Sequence, residues 1–190
     1  MPGRRRRRPS LEPAARPALV VHCDGLCEPR NPGGVACYGY VARRGDQVIA
    51  SGWGVVARGP QATNNVAEYA AAIHALRALL DLGLSSDPVE VRSDSELLVN
   101  QMRGIYAVRS PRIASLHGEL QRLARRFREI RWRWVPREEN TEADALSRRA
   151  YAEAVLAEKA KGAAGGGPGG RRPSRPVQHR EGLVPRPGRP

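Results

Sequence analysis

The fold is decided by residues 18–57, which have the sequence ALVVHCDGLCEPRNPGGVACYGYVARRGDQVIASGWGVVA. Its first six residues are apolar or β-branched apart from one histidine and end at Asp24-Gly25, a pattern that predicts a buried strand. A loop rich in Pro, Gly and Asn follows, and two further apolar segments are separated by a short turn. Three strands of an antiparallel meander are therefore predicted, at residues 18–23, 35–43 and 47–57.

Downstream of the meander the apolar spacing changes to that of helices. Thr63-Asn64-Asn65 supplies side chains suited to capping a helix that runs to Leu82, with Gly83 at its end. Further elements are predicted as a strand at 89–92, helices at 95–102 and 111–127, a strand at 130–135 and a last helix at 141–160. The order predicts an α/β domain whose mixed five-stranded sheet has three antiparallel strands and then parallel ones, flanked by helices. Trp132 and Trp134 share one face of the fifth strand, which favours the core over base stacking.

The two ends of the chain differ in composition from the domain between them, which we place at residues 18–160. Residues 1–17 are rich in Arg and Pro and residues 161–190 in Gly, Pro and Arg, so both are predicted to be disordered basic tails. These tails hold most of the net charge of +13 and would tether nucleic acid by releasing counterions. The alternative is that Arg richness reflects coding bias, because only two of the 32 basic residues are Lys.

Composition also narrows the class of protein. No apolar run approaches the roughly 20 residues that a membrane helix needs, and no apolar stretch follows the basic N-terminus as it would in an export signal. Cys23, Cys27 and Cys37 lack the matching Cys/His pair of a structural zinc site. We therefore expect a cytoplasmic protein without membrane attachment, whose cysteines are reduced thiols. We also expect it to be a monomer.

Four acidic residues stand at strand ends or helix starts, and the two at strand ends can meet where the carboxyl ends of the sheet lie, which is a usual place for sites in α/β domains. Asp24 and Asp94 end the first and fourth strands, and Glu68 and Asp144 lie in the first turns of helices. Clustered carboxylates repel one another unless a hard cation such as Mg²⁺ neutralises them. The alternative for each residue is a solvated or capping carboxylate, which is common in first helical turns. The spacing permits the four to converge without requiring it.

Four segments resemble, in order, the active-site motifs of type 1 ribonuclease H. They are residues 24–34 (DGLCEPRNPGG), 63–69 (TNNVAEY), 93–102 (SDSELLVNQM) and 134–147 (WVPREENTEADALS). Together they span nearly the whole domain, and they are most similar to the compact archaeal-like branch that is also found in bacteria. The resemblance implies an RNase H-like fold and an endoribonuclease that hydrolyses the RNA strand of RNA–DNA hybrids, leaving 5′-phosphate and 3′-hydroxyl ends.

The same resemblance implies a role for the four carboxylates. Asp24, Glu68, Asp94 and Asp144 would hold two divalent ions, preferably Mg²⁺ with Mn²⁺ as a substitute, astride the scissile phosphate. Two alternatives stay open. One is an RNase H-like nuclease acting mainly on double-stranded RNA, and the other is a non-catalytic module that binds hybrids.

Substrate contacts are expected at five further positions, four of them from the resemblance and one, Arg137, as a partial stand-in for a histidine that the loop before the last aspartate lacks. Asn31, Asn64 and Asn65 match residues that contact the minor groove and backbone, and an amide that both donates and accepts suits a 2′-hydroxyl. Gln101 is expected to contact the backbone and Arg137 to contact phosphate. The alternatives are turn and cap chemistry for the asparagines and a plain surface position for the arginine.

The sequence departs from the common bacterial pattern in two places. The loop 136–140 before the last aspartate has no histidine, and residues 103–110 replace a basic protrusion that grips the DNA strand. Grip on the substrate is then expected from the tails or from a basic helix, whose alternative is a solvated face. That helix carries Arg112, Arg122, Arg125, Arg126 and Arg128.

Overall fold

The structure, a computed structural model, describes residues 19–164, so the tail predicted at 1–17 and residues 165–190 of the tail predicted at 161–190 lie outside it. The described elements are β1 (Leu19–Glu28), β2 (Val35–Arg44), β3 (Gln47–Arg58), α1 (Asn64–Asp81), β4 (Pro88–Ser93), α2 (Glu96–Met102), α3 (Pro111–Ala124), β5 (Glu129–Trp134) and α4 (Thr141–Ala164). Their order is the predicted one. α4 continues to Ala164, past the domain boundary predicted at residue 160.

The strands form one sheet in the order β3-β2-β1-β4-β5. β1 pairs antiparallel with β2, and β2 with β3, whereas β4 pairs parallel with both β1 and β5. The mixed five-stranded sheet is thereby confirmed. α1 lies on one face of the sheet and α4 on the other, since they pack against Gly25 and Gly39, which point to opposite faces of the β1–β2 pair.

β1 is longer than predicted, and Asp24 therefore lies within the strand and not at its end. The strand pairs with β2 from Val20 to Glu28, while its parallel pairing with β4 reaches only from Leu19 to His22. Backbone hydrogen bonds to β2 keep the strand extended after β4 has ended. The C-terminal end of β4 thus lies beside the middle of β1.

Two glycines let the helices approach the sheet next to Asp24. A Cβ atom at Gly25 would collide with the backbone nitrogen of Glu68, and one at Gly39 would lie 2.5 Å from the carbonyl oxygen of Ala143. Gly39 pairs directly with Asp24, and Gly25 follows Asp24 in the chain. The two positions therefore bring α1 and α4 to opposite sides of one point in the sheet.

The main hydrophobic core lies between the sheet and the helices α1 and α3, and it includes Leu19, Leu76 and Leu120. Trp132 packs against this core as predicted, but Trp134 is 49% exposed, so its predicted core position is wrong. Trp134 is the last residue of β5, and its indole nitrogen donates to the carbonyl oxygen of Asp94 at 3.1 Å. That bond satisfies the polar end of the indole at the rim of the core.

Cys23, Cys27 and Cys37 are free and buried. Among residues 19–164, no helix combines the length and the apolar composition needed to cross a bilayer.

Candidate active site

Three of the four predicted carboxylates converge at the C-terminal end of β4. One ligand oxygen from each of Asp24, Glu68 and Asp94 lies within 4.8 Å of the others. The register explains why the two aspartates meet. His22 pairs with Arg92, and Asp24 and Asp94 each come two residues after a member of that pair on their own chain segment. Glu68 reaches the group because α1 packs closely over Gly25.

The electrostatics of this group are those of a site built for a cation. Asp24 is 5% and Glu68 8% exposed. Burial raises the pKa of Asp24 to about 6, and burial together with the charges of Asp24 and Asp94 raises the pKa of Glu68. Hydroxyls partly offset this, since Ser147 donates to Asp24 and Ser93 to Glu68. An all-oxygen donor set of this kind fits a hard divalent cation.

Asp144 lies outside the compact group, next to it at the start of α4. Its carboxylate pairs with Arg137 and with Arg148, the latter at 2.8 Å. Burial raises the pKa of Asp144, but the hydrogen bonds from Arg148 and Arg137 outweigh this effect and lower it. The two guanidinium groups thus favour the ionised form of this carboxylate.

The three predicted asparagines lie on one exposed surface at the N-terminus of α1. The Asn31 side-chain oxygen accepts a hydrogen bond from the backbone nitrogen of Asn64 at 3.1 Å, which ties the loop after β1 to the helix. Asn64 and Asn65 begin α1 and are exposed, and Glu68 follows them on the next turn. The asparagines are therefore accessible to a substrate that reaches the carboxylates, and their contact with it stays a prediction.

Gln101 has a structural position that the sequence does not reveal. It is 5% exposed, accepts a hydrogen bond from the Tyr69 hydroxyl at 2.8 Å and donates one to the carbonyl oxygen of Ala107 at 3.2 Å. These bonds connect α1, α2 and the loop before α3. Because the amide is buried and engaged at both ends, the structure gives no support to its predicted contact with substrate.

The five arginines predicted on the basic helix are exposed, and Arg112 contacts the segment that precedes α1. Arg112 donates to the carbonyl oxygen of Gln61 at 3.1 Å, just before α1 begins. α3 ends at Ala124, so three of the five predicted helical arginines follow the helix in the turn before β5. Those three are Arg125, Arg126 and Arg128.

Asn140 was not among the predicted site residues, but it contacts the carboxylate group from the position just before α4. Asn140 is 1% exposed, and its side-chain nitrogen donates to Asp94 Oδ1 at 2.8 Å and to the carbonyl oxygen of Cys23 at 3.0 Å. The one signal in the sequence was its place before a helix, and its carbonyl oxygen does accept from the backbone nitrogen of Asp144 at 3.1 Å. Ser147 and Ser93 were missed because their carboxylate partners, Asp24 and Glu68, lie 123 and 25 residues away in the sequence.

Sequence comparison finds relatives that cover most of this domain. The reverse transcriptase-like family model matches residues 34–150. Bifunctional protein Rv2228c of Mycobacterium tuberculosis is 40% identical over 131 residues, which are 68% of this chain and 34% of that protein. Ribonuclease HI of Halobacterium salinarum is 37% identical over 125 residues, 65% of this chain and 60% of that enzyme. The chain thus spans about a third of the length of the first relative.

Solved structures match this domain over nearly their whole length. The N-terminal RNase H domain of Rv2228c from M. tuberculosis, solved as a fusion with maltose-binding protein, superposes with a TM-score of 0.67 and 36% identity over 75% of this chain and 99% of that one. RNase H1 from H. salinarum NRC-1 superposes with a TM-score of 0.64 and 34% identity, over 71% of this chain and 98% of that one. LC11-RNase H1, solved in complex with an RNA/DNA hybrid, superposes with a TM-score of 0.66 and 33% identity, over 72% of this chain and 99% of that one. The family match, these structures and the carboxylate group on the shared sheet together show that the chain belongs to the type 1 ribonuclease H family.

Proposed function

We propose that the protein is an endoribonuclease that hydrolyses the RNA strand of RNA–DNA hybrids. The observation that carries the proposal is the convergence of Asp24, Glu68 and Asp94 within 4.8 Å on an RNase H fold. Buried carboxylates at this spacing repel one another and destabilise the domain, and a bound cation would neutralise that repulsion. The relative LC11-RNase H1, solved with a hybrid, supports the choice of substrate.

The cofactor we propose is a pair of Mg²⁺ ions, for which Mn²⁺ would substitute. Asp24, Glu68 and Asp94 would hold them, and Asp144 would complete the ligands once its arginines release it. Bound divalent ions would supply an activated water and a charge partner for the leaving 3′ oxygen, giving 5′-phosphate and 3′-hydroxyl products.

Groups around the carboxylates would hold the substrate in place. The exposed amides of Asn31, Asn64 and Asn65 can both donate and accept, so they suit the 2′-hydroxyls that mark the RNA strand. The side chain of Arg137 is 61% exposed beside Asp144 and would meet a backbone phosphate. We further propose that the protein acts as a monomer and that its basic tails tether nucleic acid.

The proposal is tested by cleavage of one end-labelled RNA sequence presented as RNA–DNA hybrid, as double-stranded RNA and as a single strand, with Mg²⁺ or Mn²⁺. The chain should cut the hybrid selectively, and Asp94→Asn should abolish cutting because it removes one carboxylate of the group. Asp46→Asn is the matched control, since Asp46 lies in the exposed β2–β3 turn.

Each other outcome has a definite meaning. Faster cutting of double-stranded RNA than of hybrid would replace the proposed substrate with the first alternative. Hybrid binding without cutting, by chain shown to be folded, would favour the non-catalytic module. Cutting that survives Asp94→Asn would place the active site elsewhere.

A further inference from the structure

A chain of hydrogen bonds links His22 to the carboxylate group through Asn140. His22 Nδ1 lies 3.3 Å from Asn140 Oδ1. The amide nitrogen of Asn140 reaches Asp94 Oδ1 at 2.8 Å and the carbonyl oxygen of Cys23 at 3.0 Å. His22 lies on β1 two residues before Asp24, so the two side chains share one face of the strand.

The chemistry of the partners determines the direction of each bond. Asp94 Oδ1 and the Cys23 carbonyl oxygen both accept, so the Asn140 NH₂ group must face them and uses both of its hydrogens. The Asn140 oxygen is then left to face His22. Since that oxygen only accepts, His22 must carry a hydrogen on Nδ1, as it does in the neutral Nδ1–H tautomer and in the imidazolium but not in the neutral Nε2–H tautomer.

The contact has a consequence for Asp94. A rotated Asn140 amide would set its oxygen against two other oxygens, and the Nδ1–H of His22 adds a further bond that only the observed orientation can accept. In that orientation Asn140 engages one carboxylate oxygen of Asp94 and leaves the other free to face a cation shared with Asp24 and Glu68.

We propose that His22 is a positioning residue of the metal site, which acts through Asn140 to hold Asp94 in its ligating orientation. The inference rests on the metal site of the proposed function but not on its substrate. Partners that orient ligand side chains typically change metal affinity by about 10–100-fold when removed. His22 acts through one intermediate, so the lower end of that range applies.

The test measures Mg²⁺ binding by calorimetry on the full chain without nucleic acid. His22→Phe keeps a planar ring and removes the N–H, and it should weaken Mg²⁺ binding by about tenfold. His22→Asn places an amide N–H near the Nδ1 position and should restore binding to within about twofold. His74→Phe is the matched control, because His74 is a half-buried histidine of α1 that stacks on Tyr38, and should leave binding unchanged.

A second measurement does not depend on the folding of any variant. The ¹⁵N chemical shifts of His22 in the unchanged chain should show a protonated Nδ1. A neutral ring protonated on Nε2 would overturn the inference, as would equal Mg²⁺ affinity in His22→Phe and the unchanged chain.

The cleavage assay separates this inference from the proposed function. His22→Phe should lower kcat at limiting Mg²⁺, recover at high Mg²⁺ and keep the KM for hybrid. If the unchanged chain binds Mg²⁺ in a His22-dependent way but cuts no hybrid, the proposed function fails and the positioning role stands. An unchanged chain that binds no Mg²⁺ overturns the inference.

Discussion

Asp24 and Glu68 are carboxylates that the domain buries next to each other at a cost in stability. Both are less than a tenth exposed, and both have a raised pKa because burial disfavours the charged form. Buried carboxylates with raised pKa values are typical of functional sites. The cost should be measurable when no divalent ion is supplied.

We predict that Asp24→Asn stabilises the protein in the presence of a chelator. The pKa of Asp24 is about 6 in the folded chain against 3.8 for a solvated aspartate, so the folded state is penalised above pH 6 and recovers as pH falls toward 4. Near neutral pH the substitution should raise the free energy of unfolding by about 1–3 kcal/mol. Urea unfolding checks this, and the gain should shrink in mild acid. Asp46→Asn should change stability by less than about 0.5 kcal/mol, and a loss of stability in Asp24→Asn would contradict the prediction.

His74 should give a pH dependence of opposite sign. Its ring stacks on Tyr38 with centroids 4.2 Å apart, and burial and then Arg77 lower its pKa below 6.5, while Glu119 opposes them. The unfolded chain therefore takes up a proton at His74 more readily than the folded chain. The stability that comes from a neutral His74 is present above pH 6.5 and is lost as pH falls below it. His74→Phe should keep the stack and remove that loss. Comparing the unfolding free energies of both chains from neutral pH to mild acid provides the check, and parallel curves would refute the prediction.

At the scale of elements, the site depends on two helices that approach one point of the sheet. Asp24 sits between the approach of α1 at Gly25 and that of α4 at Gly39. The first helix carries Glu68, and the second carries Asp144 and Ser147. The distance between helix and sheet therefore sets the geometry of the carboxylates.

Gly39→Ala should damage both stability and activity. The new Cβ would lie 2.5 Å from Ser147 N and from the Ala143 carbonyl, both in the backbone of α4, so the helix must shift. We expect a loss of about 1–3 kcal/mol in unfolding free energy and a fall in kcat greater than the stability loss explains. Gly118→Ala in α3 is the matched control, since its Cβ meets an atom no closer than 3.7 Å and should stabilise by about 0.5–1 kcal/mol. Full activity in folded Gly39→Ala would show that α4 does not set the site.

Sequence patterns anticipated most element ends to within a few residues, with larger differences at the C-terminal ends of β1, α3 and α4. The first strand was predicted to end before Asp24, because its apolar pattern stops there, yet pairing with β2 extends it to Glu28. α3 was predicted to reach Phe127 and ends at Ala124. Phe127 is nevertheless buried in the core, which explains why its apolar periodicity continues past the helix.

For the whole molecule, charge is divided between the domain and its ends. Removing residues 1–16 and 165–190 takes away a net charge of +10 out of +13 and leaves α4 complete. Charge in such segments acts on any polyanion and is screened by salt. Affinity for hybrid and the chemical step should therefore respond differently to the ends of the chain.

We predict that this double truncation raises the Kd for hybrid at low salt and leaves kcat unchanged. The slope of log Kd against log salt should also fall, by about 0.9 for each phosphate that the tails neutralise in the full chain. A chain with the tail arginines replaced by glutamine keeps the length, so it separates charge from chain length and should behave like the truncated chain. An unchanged Kd and salt slope after truncation would reject the tethering role.

The order of elements, the mixed sheet and the identity of the four acidic residues were determined by the sequence itself. Helix and strand periodicity, capping residues such as Thr63 and motif spacing are local properties, which neighbouring residues record. That locality is why the sequence alone indicates the family.

The tertiary structure decided which side chains share the site. It gathered Asp24, Glu68 and Asp94 within 4.8 Å, buried Gln101 against Tyr69 and joined His22 to Asn140 across 118 positions of sequence. Burial and hydrogen-bond partners arise from the packing of distant segments, and no local pattern encodes them. The sequence therefore determined which residues could hold a cation, and packing decided their protonation, their partners and their orientation.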